Sequence, residues 1–108
     1  MRRDVFQAIA DPTRREIIQL LAGNSLNLNS IAENFSVSRP AISKHIRILT
    51  ECGLVGIRTA GRERICYANL QGLREVADWT AKYQEFWNTK LDALGDFLEH
   101  QKKHKKKK

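Results

Sequence analysis

Apolar positions in this chain recur every three or four residues along most of its length, with one interruption. Val5, Phe6, Ile9 and Ala10 predict a short amphipathic helix at the N-terminus. Ile17, Ile18 and Leu21 carry a second helix, with Asp11 as its cap, Pro12 in first position, and Gly23 and Asn24 at its end. Ile31, Ala32 and Phe35 mark a third over residues 29–35, capped by Asn29 or Ser30. A fourth runs from about Arg39 to Cys52. Ser38 caps it, and Pro40 sits in the first turn, where its missing N–H costs nothing. Gly53 stands where a left-handed C-terminal cap is needed. At about 100° per residue, Ile42, His45, Ile46, Leu49 and Cys52 of this helix share one side. Pro40, Ser43, Lys44, Arg47 and Glu51 share the other, with Arg39 at the N-terminal flank.

The interruption spans Leu54 to Ala68. Val55, Ile57 and Thr59 alternate, Ala60-Gly61-Arg62-Glu63 supplies turn residues, and Ile65, Cys66 and Tyr67 continue. The pattern predicts a β-hairpin. The helical period then returns from about Gln71 to Glu99 through Leu73, Val76, Tyr83, Trp87, Leu91, Leu94 and Leu98, widened by Trp79 and Phe86. Such a helix spans roughly 40 Å at 1.5 Å per residue, long for so small a domain. Gly95 weakens it near its end by about 1 kcal/mol relative to Ala. Its apolar stripe needs a partner, and the simplest is a second copy of the chain, with Val5, Phe6 and Ile9 joining the seam. The predicted architecture is mainly α with a small β-hairpin, in the order α-α-α-α-β-β-α. It forms one domain over residues 1–100, followed by a lysine-rich, disordered tail over 101–108.

The net charge of +7 changes meaning once it is located. Lys102, Lys103 and Lys105 to Lys108 supply six of those charges, which leaves +1 over residues 1–100. Within these, Ser36 to Tyr67 carries +4 and Ala68 to His100 carries −3, while the first 35 residues balance. Positive charge therefore gathers on the fourth helix and the hairpin, against an acidic last helix. The tail is a solvated charge run that can add non-specific nucleic-acid affinity.

A short helix, a tight turn, a capped basic helix and a basic hairpin make the order of a winged helix-turn-helix. On the outward face of the fourth helix, Arg39 and Lys44 can reach guanine edges or phosphate. Ser43 can bond a base or a phosphate, and Pro40 offers apolar contact. Arg47 suits phosphate, and Arg58, Arg62 and Arg64 of the hairpin suit the backbone or the minor groove. The implied partner is double-stranded DNA. Two rivals use the same features: a protein-binding module acting through the long aromatic helix, and an RNA-binding winged helix. No apolar run is long enough to span a membrane and no signal peptide is present, so the expected location is the cytoplasm. No catalytic constellation stands out. Ser43 and His45 diverge on a helix, and there is no phosphate loop and no zinc-type spacing.

The run Val5-Phe-Gln-Ala-Ile-Ala-Asp-Pro-Thr-Arg-Arg-Glu-Ile-Ile-Gln-Leu-Leu21 resembles the opening of ArsR-type winged-helix repressors. Ser43 to Leu49 with Gly53-Leu-Val55 resembles their recognition helix and its exit, and Gly61-Arg62 through Tyr67 resembles their wing. Tyr83-Gln-Glu-Phe-Trp87 followed by Leu91, Leu94 and Leu98 resembles the SdpR-like, metal-independent branch. The resemblance covers all but the tail. It implies a homodimeric bacterial repressor on an inverted-repeat operator, with Arg39, Pro40, Ser43 and Lys44 at DNA and Arg47 on phosphate. His45 matches a common family histidine, but its angular position favours packing. The family's Cys-x-Cys metal site has no counterpart, because Leu28 to Phe35 holds no Cys or His. The last helix has Asp78 but no His before His100, so the expectation is no cofactor and no metal. A regulator without metal needs another inducer, either a protein partner or a small molecule.

Cys52 and Cys66 are the only cysteines, too few for a disulfide framework. The plain reading of each is a small hydrophobe. The sharper one is a thiol switch linking helix to hairpin.

Overall fold

Side-chain oxygens start the helices. The computed structural model describes residues 4–106, and side chains as far as residue 101. The N–H of Phe6 donates to Asp4 (3.0 Å) at the start of α1 (Val5–Ile9). The N–H of Arg14 donates to Asp11 (3.0 Å) at the start of α2 (Pro12–Gly23), with Pro12 in the first turn. Ala41 N–H donates to Ser38 Oγ (3.3 Å) and opens α4 (Arg39–Glu51). Asp11 and Ser38 act as expected. The third helix differs from expectation. α3 runs over Leu28–Ala32 and its cap is Asn27, whose Oδ1 accepts from Ser30 N–H at 2.8 Å, not Asn29 or Ser30. The same Asn27 donates from Nδ2 to Glu63 Oε1 (3.2 Å), so this cap is settled by a contact 36 residues away.

α4 ends in a Schellman motif. Leu54 N–H donates to Leu49 C=O (2.9 Å) and Gly53 N–H to Thr50 C=O (3.1 Å). Gly53 takes φ 76°, which the motif demands and an L side chain resists. The buried Leu54 that follows turns the chain into β2 (Val55–Ala60), paired antiparallel with β3 (Glu63–Ala68). Gly61 and Arg62 make the two-residue turn, with φ 63° at Gly61 matching the twist of the ribbon. β1 (Leu26–Asn27) pairs with Cys66 and Ile65 on the other edge of β3, so the sheet order is β1-β3-β2. This strand is absent from the predicted order. Two residues are too few to show an alternating pattern, and only the backbone partner defines them.

The core lies where the helices meet the sheet. Ile17, Ile31, Ile42, Leu49 and Leu54 are essentially sealed from solvent, joined by Val5, Ala8, Ile18, Leu21, Ile46, Val55 and Cys66. Each large aliphatic side chain so buried contributes about 1.5–3 kcal/mol relative to exposure.

The last helix starts later and ends later than its apolar pattern suggested. Leu70–Leu73 is a 3-10 turn, held because Asn69 N–H donates to Leu54 C=O (2.8 Å) and Asn69 Nδ2 to Gly53 C=O (3.1 Å). α5 then spans Arg74–Lys106. It continues past Glu99 through the stretch expected to be a disordered tail; lysine is a good helix former, and no Gly or Pro follows Gly95. Lys107 and Lys108 lie outside the described residues. The chain divides at 76/77 into two compact units, the winged helix and the remainder of α5.

Candidate nucleic-acid interface

The face of α4 that does not pack is its candidate reading surface. Ile42, Ile46 and Leu49 enter the core, so the 3.6-residue period turns Arg39, Pro40, Ser43, Lys44 and Arg47 outward, and all five are exposed. Among the described residues, no hydrogen bond or ion pair engages the side chains of Arg39, Lys44, Arg47, Arg58 or Arg62. These cations are available to phosphates or base edges.

The hairpin separates the three arginines grouped in the sequence. Directly opposed residues of an antiparallel pair share a face. The pairs Ile57↔Cys66 and Thr59↔Arg64 therefore put Arg64 on the same face as the buried Cys66. Arg58 pairs with Ile65 on the opposite face, and Arg62 stands at the turn. Arg64 shares a cavity with Ser43 and Arg47 of α4, whereas Arg58 and Arg62 do not line it. All three arginines are exposed.

Two tethers fix α4 and the wing. Arg14, which residue patterning did not single out, donates from Nε to Ala8 C=O (2.6 Å) and from Nη2 to Gln7 C=O (3.1 Å). Its Nη1 lies 3.3 Å from His45 Nδ1, which is 4.0 Å from Asp11 Oδ2. His45 thus joins α4 to the corner between α1 and α2, in keeping with its angular position. Burial raises the Asp11 pKa, but the Arg14 N–H and the charges of His45 and Arg14 outweigh it and leave the carboxyl below its ordinary value of 3.8. The second tether is the Asn27–Glu63 bond, which ties the cap of α3 to the root of the wing turn. Both tethers are long-range, and neither leaves a periodic signal.

The two cysteines have different surroundings. Both are buried, and neither is in a disulfide among the described residues. Cys52 Sγ donates to Asp4 C=O at 3.7 Å, whereas Cys66 lines the cavity beneath α4 and the wing. Burial pushes the Cys66 thiol pKa up from 9.0, partly opposed by the nearby Arg64 charge. Such a thiol is a poor nucleophile at neutral pH.

Residues 11–56 match the model for bacterial regulatory proteins of the arsR family. The transcriptional repressor SdpR of Bacillus subtilis is 35% identical over 80 residues, covering 74% of this chain and 89% of that protein. The chain belongs to the ArsR family. It is a DNA-binding transcriptional regulator and not an enzyme. An ArsR-like transcriptional regulator from Rhodococcus sp. RHA1 superposes with a TM-score of 0.71 at 35% identity, over 88% of this chain and 87% of that one. A homodimeric winged helix-turn-helix DNA-binding domain from Mycobacterium bovis shares the fold, with a TM-score of 0.60 at 23% identity over 73% of this chain and 76% of its own.

In this ArsR-family regulator, the residues expected at a subunit seam fall into two groups. Val5 is 6% exposed in its own core, and Phe6 and Ile9 pack half-covered against that core. In the second unit, Trp79, Tyr83, Phe86, Trp87, Leu91, Leu94 and Leu98 are all exposed, Trp87 at 61%. Phe97, which was not among the residues of the expected apolar stripe, is exposed as well. The Trp79 and Tyr83 ring centroids are 5.0 Å apart, and Lys90 Nζ sits 5.5 Å from the centroid of the Phe86 ring. Among the described residues, no helix is long and apolar enough to cross a membrane.

Proposed function

We propose that this regulator is a homodimeric repressor of an inverted-repeat operator. The α4 helix enters the major groove, where Arg39, Pro40, Ser43 and Lys44 meet base edges and Arg47 meets phosphate. Arg58, Arg62 and Arg64 of the wing hold the backbone or the adjacent minor groove. The observation that carries the reading is the outward face of α4: five exposed residues of DNA-reading chemistry on a helix whose other face is locked into the core. The exposed aromatic and leucine stripe of α5 supports pairing of two copies, since a contiguous apolar surface of this kind is costly in water. A relative of the same fold is described as homodimeric. Two copies place their α4 helices in major grooves about 34–36 Å apart. Acting on DNA, the protein works in the cytoplasm.

Selection from random duplex DNA tests the reading. The expected product is a palindrome with half-sites about 10–10.5 base pairs apart, protected symmetrically in footprints. Enrichment of single-stranded or stem-loop RNA over duplex DNA, or enrichment of no palindrome, overturns it.

A further inference from the structure

The cavity under α4 and the wing holds more than a phosphate contact needs. Its volume is ≈ 340 Å³, within the range of small-ligand pockets. Leu28, Ile46, Ile57 and Cys66 give it apolar walls. Thr50 also lines it, but the Thr50 hydroxyl is already donated to Ile46 C=O at 2.8 Å. Arg47 and Arg64 bring two guanidinium groups, and no acidic side chain lines the cavity among the described residues. Neither guanidinium has a hydrogen bond or ion pair to a described residue. Guanidinium groups bind carboxylates in bidentate fashion, and an apolar wall strengthens that attraction. A DNA phosphate would use the arginines and leave the apolar recess unfilled.

We infer that this cavity is an effector site for a small amphiphilic carboxylate, an aryl or short alkyl acid. The apolar body fills the recess between Ile46, Ile57 and Leu28, and the carboxylate lies against Arg47 and Arg64. An occupant there engages two cations and covers Ser43, all assigned above to DNA, so acid and operator compete. This competition rests on the proposed function; binding of the acid to the free protein does not.

The test uses the full-length regulator without DNA, titrated with benzoate, 4-phenylbutyrate and octanoate and with their uncharged amides, followed by NMR. The acids should give saturable shifts at Leu28, Ile57 and Cys66, with the amides at least about tenfold weaker. Arg64→Ala should abolish the preference for acid over amide. Ile57→Trp, which fills the recess, should lose the acids while keeping operator binding. Cys66→Leu serves the same purpose if the tryptophan variant does not fold. Saturating acid should then weaken operator binding about tenfold or more, within the usual range for coupled sites. Equal binding of acids and amides overturns the proposal. So do inorganic phosphate shifts that match those of the acids, or no shift at millimolar acid. Acid binding without operator release overturns the effector role and leaves the operator reading intact. If selection yields no operator, that reading fails, while the DNA-free titration still decides the carboxylate site.

Discussion

Arg39, Ser43 and Arg62 are all exposed, and the proposed interface gives them different roles that substitution should separate. Arg39→Ala or Ser43→Ala should cost about 1–3 kcal/mol of specific binding and relax one or two base positions. Arg62→Ala should weaken all sequences alike and reduce the salt dependence by about one phosphate. Footprints of each variant on the selected operator check this, and a uniform loss for all three would remove the distinction. Asp11 supports a different prediction. Its carboxylate caps α2, so Asp11→Ala should cost about 0.5–2 kcal/mol in denaturant unfolding. Because the folded pKa lies below the ordinary 3.8, the contribution is complete above that value and is lost as pH falls through the folded one. The wild-type and Asp11→Ala curves of stability against pH should therefore converge only below about pH 3.8. The Asp11 cap and the outward placement of Arg39 and Ser43 were legible in the sequence because they depend on residues within three or four positions. The hydrogen bonds of Arg14 to Gln7 and Ala8 were not, since no local pattern points a side chain back across a corner.

At the scale of elements, the chain's turns are its most dependable signals. Gly53 was expected to close α4 and does so at φ 76°, with both Schellman bonds formed. Gly53→Ala should destabilise the fold by about 1–2 kcal/mol through the left-handed penalty, measured as a lower denaturant midpoint at unchanged slope. Unchanged stability would mean that the α4 exit relaxes freely. α4 and the hairpin were correctly bounded to within a residue because caps, glycine and apolar period agree there. Agreement failed at three places. The α3 start moved to Leu28 because Asn27 is held by Glu63 as well as by its own helix. β1 exists only through its pairing with β3. The last helix begins at Arg74 because Asn69 is tied to Gly53 and Leu54.

For the whole molecule, the second unit exposes an apolar stripe that a lone copy leaves wet. The wild type should sediment as a dimer with a melting temperature that rises with concentration. Trp87→Glu should give a monomer that melts independently of concentration and binds the operator at least about tenfold more weakly, because one recognition helix replaces two. A dimeric Trp87→Glu protein would show that the stripe is not the seam. The period of the stripe and the charge contrast between reading head and last helix could be read from residue order alone. So could the outward residues of α4, because local periodicity and capping depend on near neighbours in the chain. Folding was needed to split Arg64 from Arg58 across the ribbon, to bring Arg64, Arg47 and Ser43 around one cavity, and to bury Val5 in its own core. Strand register and packing join residues far apart in sequence, and no local pattern records which of them will meet.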